Sequence, residues 1–251
     1  MIYKYPTNFA RFYDTIYHHM RDGVDNEYFQ NEIQRSGGKI LEIGVGTGRL
    51  FINALNQGAD IHGLDISESM LEILYKKLQK DQYYRISQQN IIDFSFDLKF
   101  DLIIAPFRVI MHLLDIEEQI KAIDNVYNHL NSNGRFIFDA FIPDLNQLIK
   151  GINNQMDFEG EYDSGQKIRR FVSTFPDLIN QTIQVNFHLE WEEKNELKHD
   201  DLILPLRFFF RYELEHLLER TKFEKYKIYG DYKGSELNKE SKDFIIVCQK
   251  Q

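Results

Sequence analysis

The stretch KILEIGVGTGRL, residues 39–50, constrains the fold of this chain more than any other part of the sequence. An apolar run ends abruptly in glycines at every second position, Gly44, Gly46 and Gly48. A second short apolar segment, IHGLD, follows and ends in an acid, Asp65. A strand, a glycine loop, a helix and a second strand that ends in an acid are how an open α/β sheet builds a nucleotide pocket. The stretch therefore predicts such a pocket at the carboxyl ends of the strands.

Strand and helix signals continue to alternate after this stretch, which indicates right-handed crossovers and a parallel sheet. Residues 101–105 (DLIIA) form a continuous apolar run of the type that is buried on both faces of a sheet. The other predicted core elements are a weak third strand at 84–88, a helix at 116–130, a fifth strand at 135–139, a helix at 212–221 and closing strands at 223–230 and 243–249.

The first 35 residues do not follow this alternation. Apolar and aromatic residues recur there at helical spacing, at Phe9, Phe12, Tyr13, Ile16 and Met20. This spacing predicts one helix with an apolar face. Two interpretations remain open. The helix packs on the edge of the sheet, or residues 1–35 form a lid whose tyrosines, Tyr13 and Tyr17, face the pocket.

The alternation of strand and helix signals is interrupted a second time at about residue 157. From residue 183 to 191 the apolar residues occupy every odd position, which is typical of a strand with one buried and one solvent-exposed face. Residues 167–175 and 197–209 are its predicted partners. We therefore predict an inserted antiparallel β-segment at 157–210. Arg169 and Arg170 in this segment are either solvated charges at a sheet edge or contacts for an anion.

Composition narrows the class of protein. The 251 residues include 30 basic and 39 acidic ones, so the net charge is −9, which disfavours a nucleic-acid partner. A single cysteine, Cys248, excludes an intramolecular disulfide and favours a reducing compartment. The N-terminus has no apolar signal core, and no apolar run reaches the roughly 20 residues of a membrane helix. We expect a soluble, cytoplasmic protein without a membrane partner.

The spacing of the glycines disfavours a dinucleotide site and excludes a phosphate-binding P-loop. A dinucleotide fold requires G-x-G-x-x-G, but Arg49 stands at the place of its third glycine, and Gly48 comes one position early. A phosphate-binding P-loop is excluded because no G-K-S or G-K-T follows. Neither pattern explains the acid Glu42 in front of the loop.

The pattern E-x-G-x-G-x-G after a strand, with an acid at the end of the next strand, resembles the class I S-adenosylmethionine-dependent methyltransferases. DISESML, QNIIDF, FDLIIAPFRVIMHLL and LNSNGRFIFDAF resemble later motifs of that family. The inserted segment and the C-terminal residues are similar to those of small-molecule methyltransferases that act on amines, including sugar N,N-dimethyltransferases. The resemblance implies a Rossmann-like seven-stranded methyltransferase sheet with an N-terminal helical lid and an inserted antiparallel β-segment. The implied core divides into residues 36–156 and 211–251.

The resemblance also implies a cofactor, S-adenosyl-L-methionine, with S-adenosyl-L-homocysteine as product. Its expected ligands are Glu42, the three glycines Gly44, Gly46 and Gly48, Asp65, Ile66, Met70, Asn90, Ile91 and Pro106. The glycines let the backbone approach the methionine part, where a Cβ would clash. Asp65 is placed to accept hydrogen bonds from both ribose hydroxyls. Met70 and Ile91 are either apolar walls for adenine or ordinary core residues.

Three residues are candidates for the chemistry at the methyl group. His112 is a possible general base because imidazole titrates near neutrality, or it packs against the next helix. Arg108 follows the fourth strand directly, and Tyr13 belongs to the lid. A dedicated base is not required, because positioning can provide most of the rate of an in-line displacement. The histidines and the cysteine show no metal-ligand spacing, so we expect no metal.

The sequence therefore predicts a methyltransferase that acts on a small molecule, on nitrogen before oxygen, as a monomer or homodimer. Three alternatives remain: a nicotinamide-dependent oxidoreductase, a non-catalytic S-adenosylmethionine-binding protein and a tRNA methyltransferase. Arg49 disfavours the first, and the net charge disfavours the last.

Overall fold

The computed structural model describes residues 5–20, 23–163 and 165–251, with the backbone alone for His19 and Met20. Parts of the predicted lid, namely residues 1–4, 21–22 and the side chain of Met20, lie outside this description. The α-helices are α1 (Thr7–Met20), α2 (Val24–Ser36), α3 (Phe51–Asn56), α4 (Glu68–Tyr75), α5 (Ile116–His129), α6 (Leu145–Lys150) and α7 (Arg211–Glu219). The strands are β1 (Ile40–Ile43), β2 (Ile61–Asp65), β3 (Ile86–Gln88), β4 (Phe100–Ala105), β5 (Leu130–Phe141), β6 (Ile152–Tyr162), β7 (Gln166–Asp177), β8 (Thr182–Glu193), β9 (Glu196–Arg207), β10 (Lys225–Tyr229) and β11 (Asp243–Gln249).

Seven strands form one sheet in the order β10-β11-β5-β4-β1-β2-β3. Only β11 runs antiparallel to its neighbours, β5 and β10. The predicted seven-stranded α/β fold is thereby confirmed. The weak third strand is shorter than predicted, because residues 80–85 form a 3-10 helix and Tyr84 is 68% exposed. The pairing of β3 with β2 begins only at Ile86.

Helices cover both faces of this sheet, which explains the continuous apolar runs in its central strands. On one face, α5 and α7 contribute Ala122, Ile123, Val126, Leu214, Leu217 and Leu218 to the core. On the other face, α2, α3 and α4 contribute Phe29, Ile33, Phe51, Ala54, Leu71 and Leu74. The carboxyl ends of β1, β2 and β4 remain open between these layers.

The N-terminal segment forms two helices where one was predicted. Gly23, with φ of +81°, separates α1 from α2. The two helices pack on different bodies: α2 packs on the main sheet through Phe29 and Ile33, whereas α1 packs on the inserted strands through Phe9, Phe12 and Ile16. The helical spacing of apolar residues does not show that the two helices pack on different sheets, because each helix has an apolar stripe.

The inserted strands form a separate antiparallel sheet in the order β6-β7-β8-β9. This sheet begins at Ile152, before the predicted start at residue 157, since the first residues of β6 are polar (INNQM) and show no alternation. Leu189 and Trp191 of β8 are buried against α1, as their odd positions predict. Within the described residues, no helix is long and apolar enough to cross a bilayer.

We predict that Phe12 is a main anchor of α1 on the inserted sheet. Its side chain is 1% exposed, and its ring centroid lies 4.7 Å from that of Tyr162 and 5.4 Å from that of Trp191. Phe12→Ala should lower the free energy of unfolding by about 3–5 kcal/mol, since it leaves a cavity among large rings. Urea denaturation measures this change.

The matched control is Phe175→Ala, which removes a ring that is 55% exposed. We expect this control to change the free energy of unfolding by no more than about 0.5 kcal/mol. Equal and small effects of the two substitutions would contradict the docking of α1 on the inserted sheet.

Candidate active site

A cavity of about 220 Å³ opens at the carboxyl ends of β1, β2 and β4. Most of the predicted cofactor residues line it: Gly44, Asp65, Ile66, Met70, Asn90, Ile91 and Pro106. Glu42, Gly46 and Gly48 lie in or next to the glycine loop but do not line the cavity. Of the predicted catalytic residues, His112 lines the cavity, whereas Tyr13 and Arg108 do not.

Asp65 ends β2 and holds the glycine loop in place. Its Oδ2 accepts a hydrogen bond from the backbone N–H of Gly46 at 2.8 Å, and its Oδ1 accepts one from that of Ser67 at 2.8 Å. Although part of the side chain reaches the cavity, burial raises the pKa of Asp65, and the backbone N–H groups of Ser67 and Gly46 oppose this rise. The carboxylate is therefore oriented before any ligand arrives.

The three glycines have different physical roles, contrary to the single role expected for them. A Cβ at Gly44 would lie 2.5 Å from Cγ2 of Val109, and a Cβ at Gly48 would lie 2.4 Å from Cδ1 of Leu74. These two glycines are needed for internal packing. At Gly46, with φ of +54°, a Cβ would meet nothing closer than 3.9 Å. Of the three glycines, Gly46 alone leaves open space above the loop, because only there would a Cβ meet no neighbouring side chain.

Glu42 is a buried acid without a full set of partners. Its side chain is 3% exposed, and Oε2 has no hydrogen-bond partner within the described residues. Burial raises the pKa of Glu42 to about 8, against the opposing charge of Arg49. An unpartnered carboxyl oxygen beside a ligand cavity is chemically suited to a positively charged group of the ligand.

Arg49 explains why the third-glycine position of a dinucleotide fold is occupied by a large side chain here. Its Nη2 lies 2.8 Å from Oδ2 of the buried Asp25 in α2. The guanidinium also lies over the ring of Phe107, 5.2 Å from the centroid. Arg49 thus connects the glycine loop to α2 and to the loop after β4. The sequence analysis did not single out Asp25, because its spacing shows no motif.

Three further polar contacts hold α1 and the segment before it against the glycine loop and α4. Oδ1 of Asp14 accepts a hydrogen bond from the Thr47 hydroxyl at 2.6 Å, and its Oδ2 lies 2.5 Å from Nζ of Lys77. The Ser69 hydroxyl donates to the carbonyl oxygen of Tyr5 at 2.6 Å. The sequence analysis missed Asp14 and Lys77, which lie far apart in the chain.

Aromatic rings of α1 pack over the end of β4. The centroids of Tyr13 and Tyr17 are 4.4 Å apart, and that of Tyr17 is 5.3 Å from that of Phe107, which lines the cavity. Tyr5 lines the cavity directly, and burial raises its pKa. The tyrosines predicted to face the pocket therefore cover Phe107, and Tyr5 takes the expected place at the cavity wall.

Arg169 and Arg170 of the inserted sheet differ in their exposure and in their partners. Arg169 is an exposed partner of Glu159, whereas Arg170 is 3% exposed. The Arg170 guanidinium donates to both carboxylate oxygens of Asp157, at 3.0 and 2.9 Å, and to the Tyr17 hydroxyl at 3.1 Å. Arg170 therefore joins the inserted sheet to α1, and the interpretation as a solvated charge is wrong for this residue.

The predicted catalytic position of Arg108 is not supported by the structure. Its Nη2 lies 3.6 Å from Asp243, its guanidinium lies over Phe141, and it lines a separate cavity. Its backbone is left-handed, with φ of +68°, and its N–H donates to the buried Asp139 at 2.8 Å. The Arg108 side chain therefore lies outside the cavity at the carboxyl ends of β1, β2 and β4. Sequence spacing does not show this placement.

His112 follows β4 in a short 3-10 helix, Val109–His112. Burial lowers its pKa to about 4, so the imidazole is neutral near pH 7. Among the described residues, neither ring nitrogen has a hydrogen-bond partner. A neutral imidazole that lines the cavity can accept or donate a hydrogen bond to a ligand.

Comparison with known proteins agrees with this geometry. Residues 41–136 match the family described as a methyltransferase domain. The putative methyltransferase YqeM of Bacillus subtilis is 21% identical over 100% of this chain and 98% of its own length. An uncharacterized methyltransferase of Staphylococcus carnosus is 27% identical over 63% of this chain and 74% of its own length.

Solved structures share the fold over nearly the whole chain. An S-adenosylmethionine-dependent methyltransferase of Clostridium acetobutylicum is 20% identical, with a TM-score of 0.74 and coverage of 97% of this chain and 98% of its own. DesVI of Streptomyces venezuelae is 17% identical, with a TM-score of 0.77 and coverage of 98% and 100%. Residues 41–136 thus match a methyltransferase domain, and the chain has the fold of solved S-adenosylmethionine-dependent methyltransferases.

Proposed function

We propose that this protein transfers a methyl group from S-adenosylmethionine to a small-molecule nucleophile, on nitrogen before oxygen. The observation that carries the proposal is the pair of acids at the glycine loop. Asp65 lines the cavity and is oriented by backbone N–H groups, and Glu42 keeps an unpartnered oxygen behind the loop. One acid suits the neutral hydroxyls of a ribose, and the other suits the cationic amino group of a methionine.

The remaining lining residues fit the other parts of the cofactor. The open face of Gly46 admits the methionine backbone close to the loop. Met70 and Ile91 line the cavity and provide apolar surfaces for a flat base. Pro106, at the end of β4, marks the end of the cavity where the transferred methyl would lie. When bound, the cofactor supplies an electrophilic methyl group on a good leaving group.

The residues of this chain then contribute position and the exclusion of water. Tyr13 and Tyr17 of α1 cover Phe107, and Asp14 and Arg49 hold the two N-terminal helices against the loop. An acceptor enclosed by these rings would be held near the methyl group, and such positioning accounts for much of the rate of an in-line displacement. The neutral His112 is the proposed hydrogen-bond partner of the attacking group, and Tyr13 shapes its approach.

The preference for nitrogen is supported by proteins of the same fold. KedS8 of Streptoalloteichus is described as a sugar N-methyltransferase, is 15% identical and has a TM-score of 0.75 over 100% of this chain and 96% of its own. CalS10 is described as an amino pentose methyltransferase and has a TM-score of 0.68. An amine also suits the site because its neutral form, which it reaches by losing a proton to water, is a strong nucleophile.

The direct test is methyl transfer in a panel of acceptors. The protein is incubated with S-adenosylmethionine and separate sets of amines, phenols, carboxylic acids and tRNA, and S-adenosylhomocysteine release and product mass are measured. We expect methylated amines alone. Methylated phenols or acids would contradict the preference for nitrogen, and methylated tRNA would contradict a small-molecule acceptor. Tight binding of S-adenosylhomocysteine without turnover in any set would favour the non-catalytic alternative, and binding of NADH alone would favour the oxidoreductase.

Asp65 provides a test of cofactor binding. We predict that Asp65→Ala raises the Kd for S-adenosylhomocysteine about 10- to 100-fold, because it removes charged acceptors worth about 1.5–3 kcal/mol. Isothermal titration calorimetry measures the change. The control is Asp93→Asn, at an exposed position of the same edge of the sheet, which should leave the Kd unchanged. If the Asp65→Ala variant is folded and its Kd is unchanged, the proposed contact of Asp65 with the ribose hydroxyls is wrong.

The substitution Glu42→Gln should raise the stability of the cofactor-free protein and weaken the binding of the cofactor. The pKa of its carboxyl in the folded protein is about 8, above the ordinary value of 4.5, so folding takes up a proton between these values. Glu42 therefore makes the cofactor-free protein less stable as pH rises from about 4.5 to 8. We predict that Glu42→Gln stabilises the cofactor-free protein at pH 8, on the order of a few kcal/mol, and has little effect at pH 5.

Thermal melts at the two pH values measure the stability effect, and calorimetry measures the binding effect. We expect Glu42→Gln to weaken S-adenosylhomocysteine binding at pH 8 by about tenfold or more, because the ligand loses a charged partner. Equal stability changes at both pH values would show that the carboxyl is not protonated in the folded protein. Unchanged binding would show that the ligand's amino group lies elsewhere.

A further inference from the structure

The loop after β3 presents a donor to the cavity at the position where the resemblance predicted contact with adenine. Oδ1 of Asn90 accepts a hydrogen bond from the backbone N–H of Ile92 at 3.1 Å. The opposite amide orientation would set two N–H groups against each other, so this contact fixes the orientation. The Nδ2 amino group is then the part of Asn90 that remains for a ligand, and it can only donate.

Neighbouring Gln89 cannot supply the missing acceptor. Its Oε1 accepts from the backbone N–H of Ser95 at 2.8 Å, and its Nε2 donates to the Ser87 hydroxyl at 2.7 Å. Both ends of the Gln89 amide are therefore engaged within the loop. Any ligand donor at this end of the cavity needs an acceptor from another element.

Glu118 of α5 is that acceptor. It lines the same cavity as Asn90, and among the described residues its carboxylate has no hydrogen-bond or ion-pair partner. Asn125, two helical turns later on the same face of α5, donates to the carbonyl oxygens of Ile91 at 3.3 Å and Phe94 at 3.1 Å. This contact holds the Glu118 face of α5 along the loop that carries Asn90.

We propose that Glu118 and Asn90 together read the adenine edge of the cofactor. Adenine presents its exocyclic amino group as a donor and the adjacent N1 as an acceptor. Glu118 accepts from the amino group, and Nδ2 of Asn90 donates to N1. Glu118 is therefore a specificity-determining residue for the adenosyl group. This inference rests on the proposed function, because it assumes an adenosyl cofactor in this cavity.

The arrangement should reject the 6-oxo base. In a hypoxanthine, an oxygen would face the Glu118 carboxylate, and a protonated N1 would face the Asn90 amino group. Both contacts would be mismatched. A buried mismatched polar contact costs about 1–3 kcal/mol, so we expect the wild type to bind S-adenosylhomocysteine about 100-fold or more tightly than its deaminated analogue, S-inosylhomocysteine.

Glu118→Gln tests the assignment by calorimetry with these two ligands. A glutamine amide offers both an acceptor and a donor, so the ratio of the two Kd values should fall to about tenfold or less. Most of this fall should come from tighter binding of the inosyl ligand. The matched control is Glu117→Gln, at the adjacent side chain, which is 69% exposed. The control should keep the wild-type ratio.

A second variant, Asn90→Asp, separates the two partners. It keeps an acceptor for the N–H of Ile92 but replaces the donor with a carboxylate oxygen, so S-adenosylhomocysteine should bind about tenfold more weakly. Tighter binding in this variant would overturn the inference, because it would place position 90 opposite the exocyclic amino group. A wild-type ratio in Glu118→Gln would also overturn it. Failure of the wild type to bind S-adenosylhomocysteine at all would instead overturn the proposed function.

Discussion

The hydrogen bond between Asp65 and the backbone N–H of Gly46 is the contact on which the site depends. It acts with the carbonyl oxygen of Leu64, which accepts from the N–H groups of Gly44 and Val45 at 2.8 and 3.0 Å. These bonds tie the loop after β1 to the end of β2 and keep Gly46 in its left-handed conformation. The same carboxylate that shapes the loop also lines the cavity. Under the proposed function, one side chain would therefore couple the geometry of the loop to the recognition of the ligand.

The N-terminal helices that lie near the cavity are attached to this loop and to the residues after β4. Thr47 binds Asp14 of α1, Arg49 binds Asp25 of α2, and Tyr17 packs on Phe107. Arg170 forms a buried ion pair with Asp157 inside the inserted sheet and joins this sheet to α1 by donating to the Tyr17 hydroxyl. Such pairs add little net stability but strongly disfavour arrangements that leave one charge unpaired. We therefore interpret these buried contacts as devices that specify where the N-terminal helices and the inserted sheet sit.

The parts of the fold that could be predicted are those whose signal is local. The central strands are continuous apolar runs, and strict alternation marks β8, because burial on two faces or one leaves a direct trace in sequence. The start of β6 left no such trace, since its residues are polar. The division between α1 and α2 at Gly23 was missed because both helices have apolar stripes that pack on different sheets.

The sequence by itself determined the glycine loop, the acid at the end of β2 and the departure from the dinucleotide glycine pattern, because these depend on a short, continuous stretch of residues. Only the tertiary structure decided which way each candidate side chain points. Arg108 lines a separate cavity, burial makes His112 neutral, and the packing of α5 on the loop after β3 places Glu118 in the wall of the cavity that Asn90 also lines. Each of these outcomes depends on contacts between elements distant in the chain. No local pattern of residues encodes them.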